Sequence, residues 1–145
     1  IMSFKTWVNY GYGVCTDDLP INNDNIEELM SRAPVFLEAC NRYLEENRCV
    51  DCPRGLDYFD AEDINYGIAT ILAEVILEAE GLYFTACDDF DSKTYLIYQP
   101  RYPWEMSERD SVMTEKKITD ILREYVGILT DSPVEIRYHD VENGG

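Results

Sequence analysis

A chain of 145 residues with 29 Asp/Glu against 12 Lys/Arg, net charge −17, is repelled by nucleic acid and by anionic membrane surfaces, so neither is expected as a direct partner. With 46% hydrophobic and 12% aromatic residues it is long and apolar enough to bury one core, which sets disorder aside and predicts a single domain over 1–145. Its apolar runs fall short of the ~20 residues that cross a bilayer, and no secretory leader pattern opens it, so a cytoplasmic setting is expected.

Residues 4–15 are rich in aromatic and β-branched side chains and end at the turn-prone Thr16-Asp17-Asp18, which predicts a strand. Val8, Tyr10, Tyr12 and Val14 alternate without a break and are expected against a core. On the other face, Gly11 and Gly13 allow another backbone or a ligand to come close, or permit a bulge. Asp24 and Glu27 then have capping-box spacing, and Ile26, Leu29, Met30, Ala33, Leu37, Cys40 and Leu44 recur at helical steps. Pro34 interrupts that run and predicts a kink, or two helices meeting near Ala33. Residues 48–59 lack periodicity, contain Pro53 and Gly55, and read as a long loop.

The next helix is expected over residues 60–80, begun by Asp60 and Asp63 and stopped by Gly81. Ile64, Ile68, Ile71, Leu72, Val75, Ile76 and Ala79 form its inward face; Glu74 and Glu78 make a like-charge pair outside. Two strand patterns, 82–87 and 93–99, flank an acidic five-residue hairpin loop. Residues 100–104 hold Tyr102 and Trp104 beside Pro100 and Pro103, as a connector that packs over the core or offers an aromatic patch. Thr114 or Ser111 caps a last helix with Ile118, Ile121, Leu122, Tyr125, Ile128 and Leu129 on its apolar side. A final strand is expected over 134–139 and a frayed tail over 143–145. Merging the two early helical segments gives β-α-β-β-α-β. The predicted class is therefore α+β: a two-layer sandwich with a four-stranded antiparallel sheet, helices on one face, and a ferredoxin-like order carrying an extra helical segment.

The chemistry is thin. No Gly-x-Ser-x-Gly elbow, Walker loop or His-Glu-x-x-His occurs, and Gly11-Tyr12-Gly13 is not completed to a dinucleotide fingerprint, because position 16 is Thr. The single histidine, His139, falls on the outward phase of the last strand and reads as a surface residue. Five cysteines without a secretory context predict free thiols, with Cys15, Cys40 and Cys87 as small core residues. Cys49-x-x-Cys52 could supply half of a zinc site or a redox pair, but no second ligand pair complements it and it does not open a helix. It stays a weak metal candidate, and no cofactor is expected. Asp57, Asp60, Glu62 and Asp63 cluster in sequence, as do Asp88, Asp89 and Asp91, and neither group matches a calcium loop.

The charge itself is the strongest signal. Residues 16–91 hold 19 Asp/Glu against 4 Arg and no Lys, far beyond the magnitude of ~2–8 that keeps a small domain soluble. That excess predicts a non-catalytic interaction protein with a basic partner, in its sharp form an inhibitor or decoy offering carboxylates where a nucleic-acid-binding protein expects phosphates. The expected contact residues are Asp57, Asp60, Glu62, Asp63, Glu74, Glu78, Asp88, Asp89 and Asp91. The alternative is a small metal- or thiol-dependent domain built on Cys49/Cys52 or the acidic clusters.

Overall fold

The computed structural model describes residues 5–17, 19–61, 64–99, 108 and 112–144. The elements in order are β1 (Thr6–Cys15), α1 (Asn23–Met30), α2 (Pro34–Asn47), a 3-10 turn (Gly55–Asp60), α3 (Ile68–Glu80), β2 (Thr85–Asp88), β3 (Thr94–Tyr98), α4 (Glu115–Leu129) and β4 (Arg137–Gly144). One four-stranded antiparallel sheet runs β2-β3-β1-β4, so the chain is α+β with β1 inside the sheet.

Helix boundaries follow local chemistry. Asn22, not Asp24, caps α1: its side chain accepts from Asn25 N at 3.0 Å, and Asp24 sits in the first turn, where a negative charge suits the helix dipole. Pro34 falls at the first turn of α2, where its missing N–H costs nothing, so the interrupted run resolves into two helices. The expected loop over 48–59 is shorter than predicted, because Gly55–Asp60 winds into a 3-10 turn; Asp57 Oδ2 accepts from Arg54 N at 2.9 Å. The expected helix start at Asp60 is wrong by eight residues. Gly67, at φ 57°, breaks the backbone just before Ile68, and Gly81 in the left-handed region ends the helix at Glu80. Ile68, Ile71, Leu72, Val75 and Ile76 are buried as the periodicity requires, but Ala79 is exposed. In α4, Thr114 provides the cap, with Oγ1 accepting from Lys117 N at 3.2 Å, and Val126 joins the buried face. Phe4, Glu62, Asp63, the 100–104 segment, Ser111 and Gly145 lie outside the described residues.

The main core joins Val14 and Leu96 of the sheet to Ile26, Leu29, Met30, Leu44, Ile71, Leu72, Ile76, Leu122 and Leu129 of the helices. Asn25 Nδ2 also donates to Leu129 O, pinning α1 to the end of α4. The opposite sheet face holds a second, small cluster of Cys87, Ile97 and Val141, with Tyr95 against it.

That second cluster exists because the sheet curls on itself. β1 lies so close on β3 that a Cβ at Gly13 would stand 2.1 Å from Leu96 O, and one at Gly11 2.3 Å from Tyr98 O. No side chain fits there, so of the options open to these glycines the structure uses close backbone approach. The curl brings the two sheet edges together: Phe90 N donates to Glu142 O at 3.2 Å, and Asn143 Nδ2 donates to Asp88 O and Oδ1 at 3.0 Å each. Residues 143 and 144 are thus paired strand, opposite Trp7 and Thr6, and not a frayed tail. The final strand begins at Arg137 instead of 134. The even face of β1 divides as well. Tyr12 and Val14 meet the helices, whereas Val8 and Tyr10 run past them and are 47% and 42% exposed.

Two glycine substitutions test the curl. Gly13→Ala is expected to cost about 2–4 kcal/mol. Gly127→Ala, in α4 with open space around its Cβ, is expected to gain about 0.5–1 kcal/mol. Urea unfolding midpoints measure both, and an unchanged midpoint in Gly13→Ala would contradict the close approach.

Candidate functional site

Four of the carboxylates singled out in the sequence, Asp57, Glu78, Asp88 and Asp89, hold the fold together. Ala33 offers α2 no side-chain cap, and Glu78 supplies one from the neighbouring helix: Oε1 accepts from Phe36 N at 2.8 Å and Oε2 from Val35 N at 3.0 Å. Asp89 builds the hairpin loop. Its Oδ1 accepts from Asp91 N at 2.9 Å and Lys93 N at 3.0 Å, and its Oδ2 from Tyr95 Oη at 3.0 Å. Ser92, at φ 63°, takes the left-handed position that closes this loop. Asp88 receives Asn143, and Asp57 receives Arg54 N. Glu74, Asp60 and Asp91 are exposed, on α3, at the end of the 3-10 turn and at the hairpin tip, so the structure does not gather the predicted contact residues into one patch.

These attachments also perturb the neighbours. Burial, then the hydrogen bond and charge of Asp89, push the Tyr95 phenol up to about 12. Burial, then the charges of Asp88 and Asp89, push the Cys87 thiol up to about 11; burial, then Glu74, does the same for Cys40. Both thiols are held protonated at neutral pH and are inert as nucleophiles.

Cys49 and Cys52 are exposed free thiols. The position of Cys49 has a local structural explanation at the end of α2. Cys49, at φ 55°, takes the left-handed position beyond the helix, and Val50 N reaches back to Leu44 O at 3.1 Å. Among the described residues, no group of three or more His, Cys, Asp or Glu is arranged to hold a metal ion.

His139 is the residue that sequence reasoning placed wrongly. The curl turns its strand phase inward, so it is only 7% exposed, with its ring centroid 5.2 Å from that of Tyr95. Its Nε2 is buried without a hydrogen-bond partner. Burial and the Arg137 charge hold the imidazole below its ordinary range, against a hydrogen bond that the ring donates to the Gly13 backbone and the charge of Glu135. A cavity of about 240 Å³ reaches this region, lined by Cys15, Arg137 and His139 among others. No hydrogen bond joins Cys15 to His139, so the geometry does not form a thiolate–imidazole pair.

No protein-family model, curated protein or solved structure matches the chain. Among the described residues, no helix is long and apolar enough to cross a membrane.

Two measurements check these roles. Glu78→Ala is expected to cost about 1–2 kcal/mol, since it strips two amide partners from a helix start. Glu74→Ala, one turn away and exposed, should stay within about 0.5 kcal/mol. For His139 the folded imidazole is harder to protonate than the unfolded one, so the unfolded chain takes up its proton first as pH falls. The associated stability is complete above the ordinary value of 6.5 and is lost as pH drops below it. Compared with His139→Gln, the wild-type chain should lose unfolding free energy between about pH 7.5 and about pH 5, and parallel curves would refute that assignment.

Proposed function

We propose that this chain is a non-catalytic acidic interaction protein that engages a basic, nucleic-acid-binding partner and competes with that partner's nucleic acid. The observation that supports the reading is the location of the charge excess. In the 16–91 block, Glu28, Glu38, Glu45, Glu46, Glu74 and Asp91 are all exposed on folded elements, and four arginines are available to offset 19 carboxylates. One of those arginines, Arg42, pairs with Glu38 at 2.9 Å on the same helix, with both side chains well exposed. Uncompensated surface charge of one sign speeds encounter with an oppositely charged partner and is relieved on binding.

The strand order, with β1 between β3 and β4, also supports reading the fold as ferredoxin-like with α1 and α2 as its extra helical segment. Within the reading, Asp60, Glu74 and Asp91 are contact residues. Glu78, Asp88, Asp89 and Asp57 add to the negative charge while serving the fold.

The test uses exposed carboxylates and leaves those that hold backbone amides untouched. A Glu45→Gln, Glu46→Gln, Glu74→Gln, Asp91→Asn variant should fold with wild-type stability. Capture from a host extract should recover a nucleic-acid-binding protein whose retention falls as salt rises through the range where the Debye length shrinks from about 10 Å to about 3 Å. Retention should also fall with the four-site variant and with added nucleic acid. A complex indifferent to salt, to the variant or to competing nucleic acid would overturn the proposal.

A further inference from the structure

The part of β1 that runs past the helices carries a surface that the acidic block does not include. Val8 and Tyr10 are 47% and 42% exposed there, and Tyr138 on β4 is 51% exposed. The pairing register sets Val8 opposite Glu142, Tyr10 opposite Asp140 and Tyr12 opposite Tyr138. Side chains two apart on a strand share a face, so Val8, Tyr10, Tyr138, Asp140 and Glu142 form one sheet surface, with both carboxylates exposed. Asp140 and Tyr10 lie close enough to Tyr138 to act on it: after desolvation, the charge and hydrogen bond of Asp140 and then Tyr10 raise the phenol.

Among the described residues of β1 and β4, no lysine or arginine shares this face. Arg137 falls on the alternate phase of β4, where it pairs with Glu135 at 3.0 Å. Main-chain recognition along the open edge of β4 is also partly closed. Arg137 Nη1 donates to Tyr138 O at 3.1 Å, and Phe90 N donates to Glu142 O. An incoming strand would find two of the outward carbonyls already taken, so recognition there falls to side chains.

Two exposed phenol faces beside two carboxylates suit one kind of group. A guanidinium stacks flat on an aromatic ring while its edge donates a forked pair of hydrogen bonds to a carboxylate; an ammonium, a compact and strongly hydrated charge, does the second poorly. We propose that the Val8/Tyr10/Tyr138/Asp140/Glu142 face is the docking surface for an arginine-bearing segment of a basic protein partner. The inference rests on the interaction-protein reading above and gives it a contact surface, with the acidic helices steering the approach and this arm selecting arginine.

The probes are a nona-arginine and a nona-lysine peptide, titrated against the whole chain with backbone amide chemical shifts as the readout. Nona-arginine should bind more tightly than nona-lysine, with the largest shifts at residues 8–10 and 138–142. Tyr10→Ala should weaken nona-arginine about threefold and the Tyr10→Ala/Tyr138→Ala pair roughly tenfold. The near-isosteric Asp140→Asn/Glu142→Gln pair, which leaves the packing untouched, should weaken it and reduce the preference for arginine. If nona-arginine binds but its shifts map to α1, α2 or the hairpin tip, or the two peptides bind equally, this surface is wrong while a basic partner remains supported. If neither peptide binds even at low salt, both this surface and the basic-partner reading fall.

Discussion

The architecture depends on one close approach, that of β1 onto β3 at Gly11 and Gly13. Because two consecutive inward positions of β1 carry no side chain, the strands come within a distance that any Cβ would forbid, and the sheet curls until its edges meet. Three consequences follow from that contact. The second sheet face becomes partly buried, which places Cys87, Ile97, Val141 and His139 out of water. The hairpin tip meets the end of β4, so that Asp88 and Glu142 O find protein donors in Asn143 and Phe90. The far half of β1 is carried beyond the helices with its partner β4, leaving Val8, Tyr10 and Tyr138 in solvent. Core and exposed arm have the same origin.

The carboxylates are best understood by weighing two effects of different size. A like-charge pair at i,i+4 on an exposed helix costs a few tenths of a kcal/mol. A side chain that satisfies the orphan amides of a helix start contributes about 1 kcal/mol, more when it is ionised. Glu78 experiences both, against Glu74 in its own helix and toward Val35 and Phe36 in α2. The cap wins. Asp89, with two amides and a phenol on one carboxylate, is a similar case. A dense acidic sequence can therefore fold without matching cations, because backbone N–H groups take part of the charge.

Those weights also explain how much was legible beforehand. Periodicity identified α3 and α4, and Pro34 marked the junction of α1 and α2, because each signal is local and the core enforces it. The start of α3 was misplaced because Asp60 and Asp63 mimic a cap, while the decisive residue, Gly67, acts through a positive φ with no periodic signature. His139 was misread for a deeper reason. Alternation along a strand says which residues share a face, but not which face the rest of the chain will cover. Covering the second face required the curl, whose trace in the sequence was the Gly11/Gly13 pair. The same blindness hid the Tyr10/Tyr138 surface, since its two tyrosines are more than a hundred residues apart and meet through the β1–β4 register alone. The roles of Glu78 and Asp88 were equally invisible, because their partners, Phe36 and Asn143, come from other elements.

In the proposed reading, charge excess and the aromatic arm would divide the work of recognition. Exposed carboxylates attract any basic surface, and the attraction is long in range, screened by salt and poor at telling one cation from another. Choice among cations requires contacts at van der Waals distance with defined geometry, which flexible Glu side chains on helix surfaces do not provide. Tyrosines do provide it: each presents a large, flat face at the cost of two rotatable bonds. Here two of them stand on paired β-strands whose position is fixed by the sheet, next to carboxylates on the same face. Preorganisation of that kind reduces the ordering entropy that weakens most charge-driven contacts. On the β1–β4 arm such rigidity, aromatic area and negative charge coincide, and Val8, Tyr10 and Tyr138 stay uncovered there.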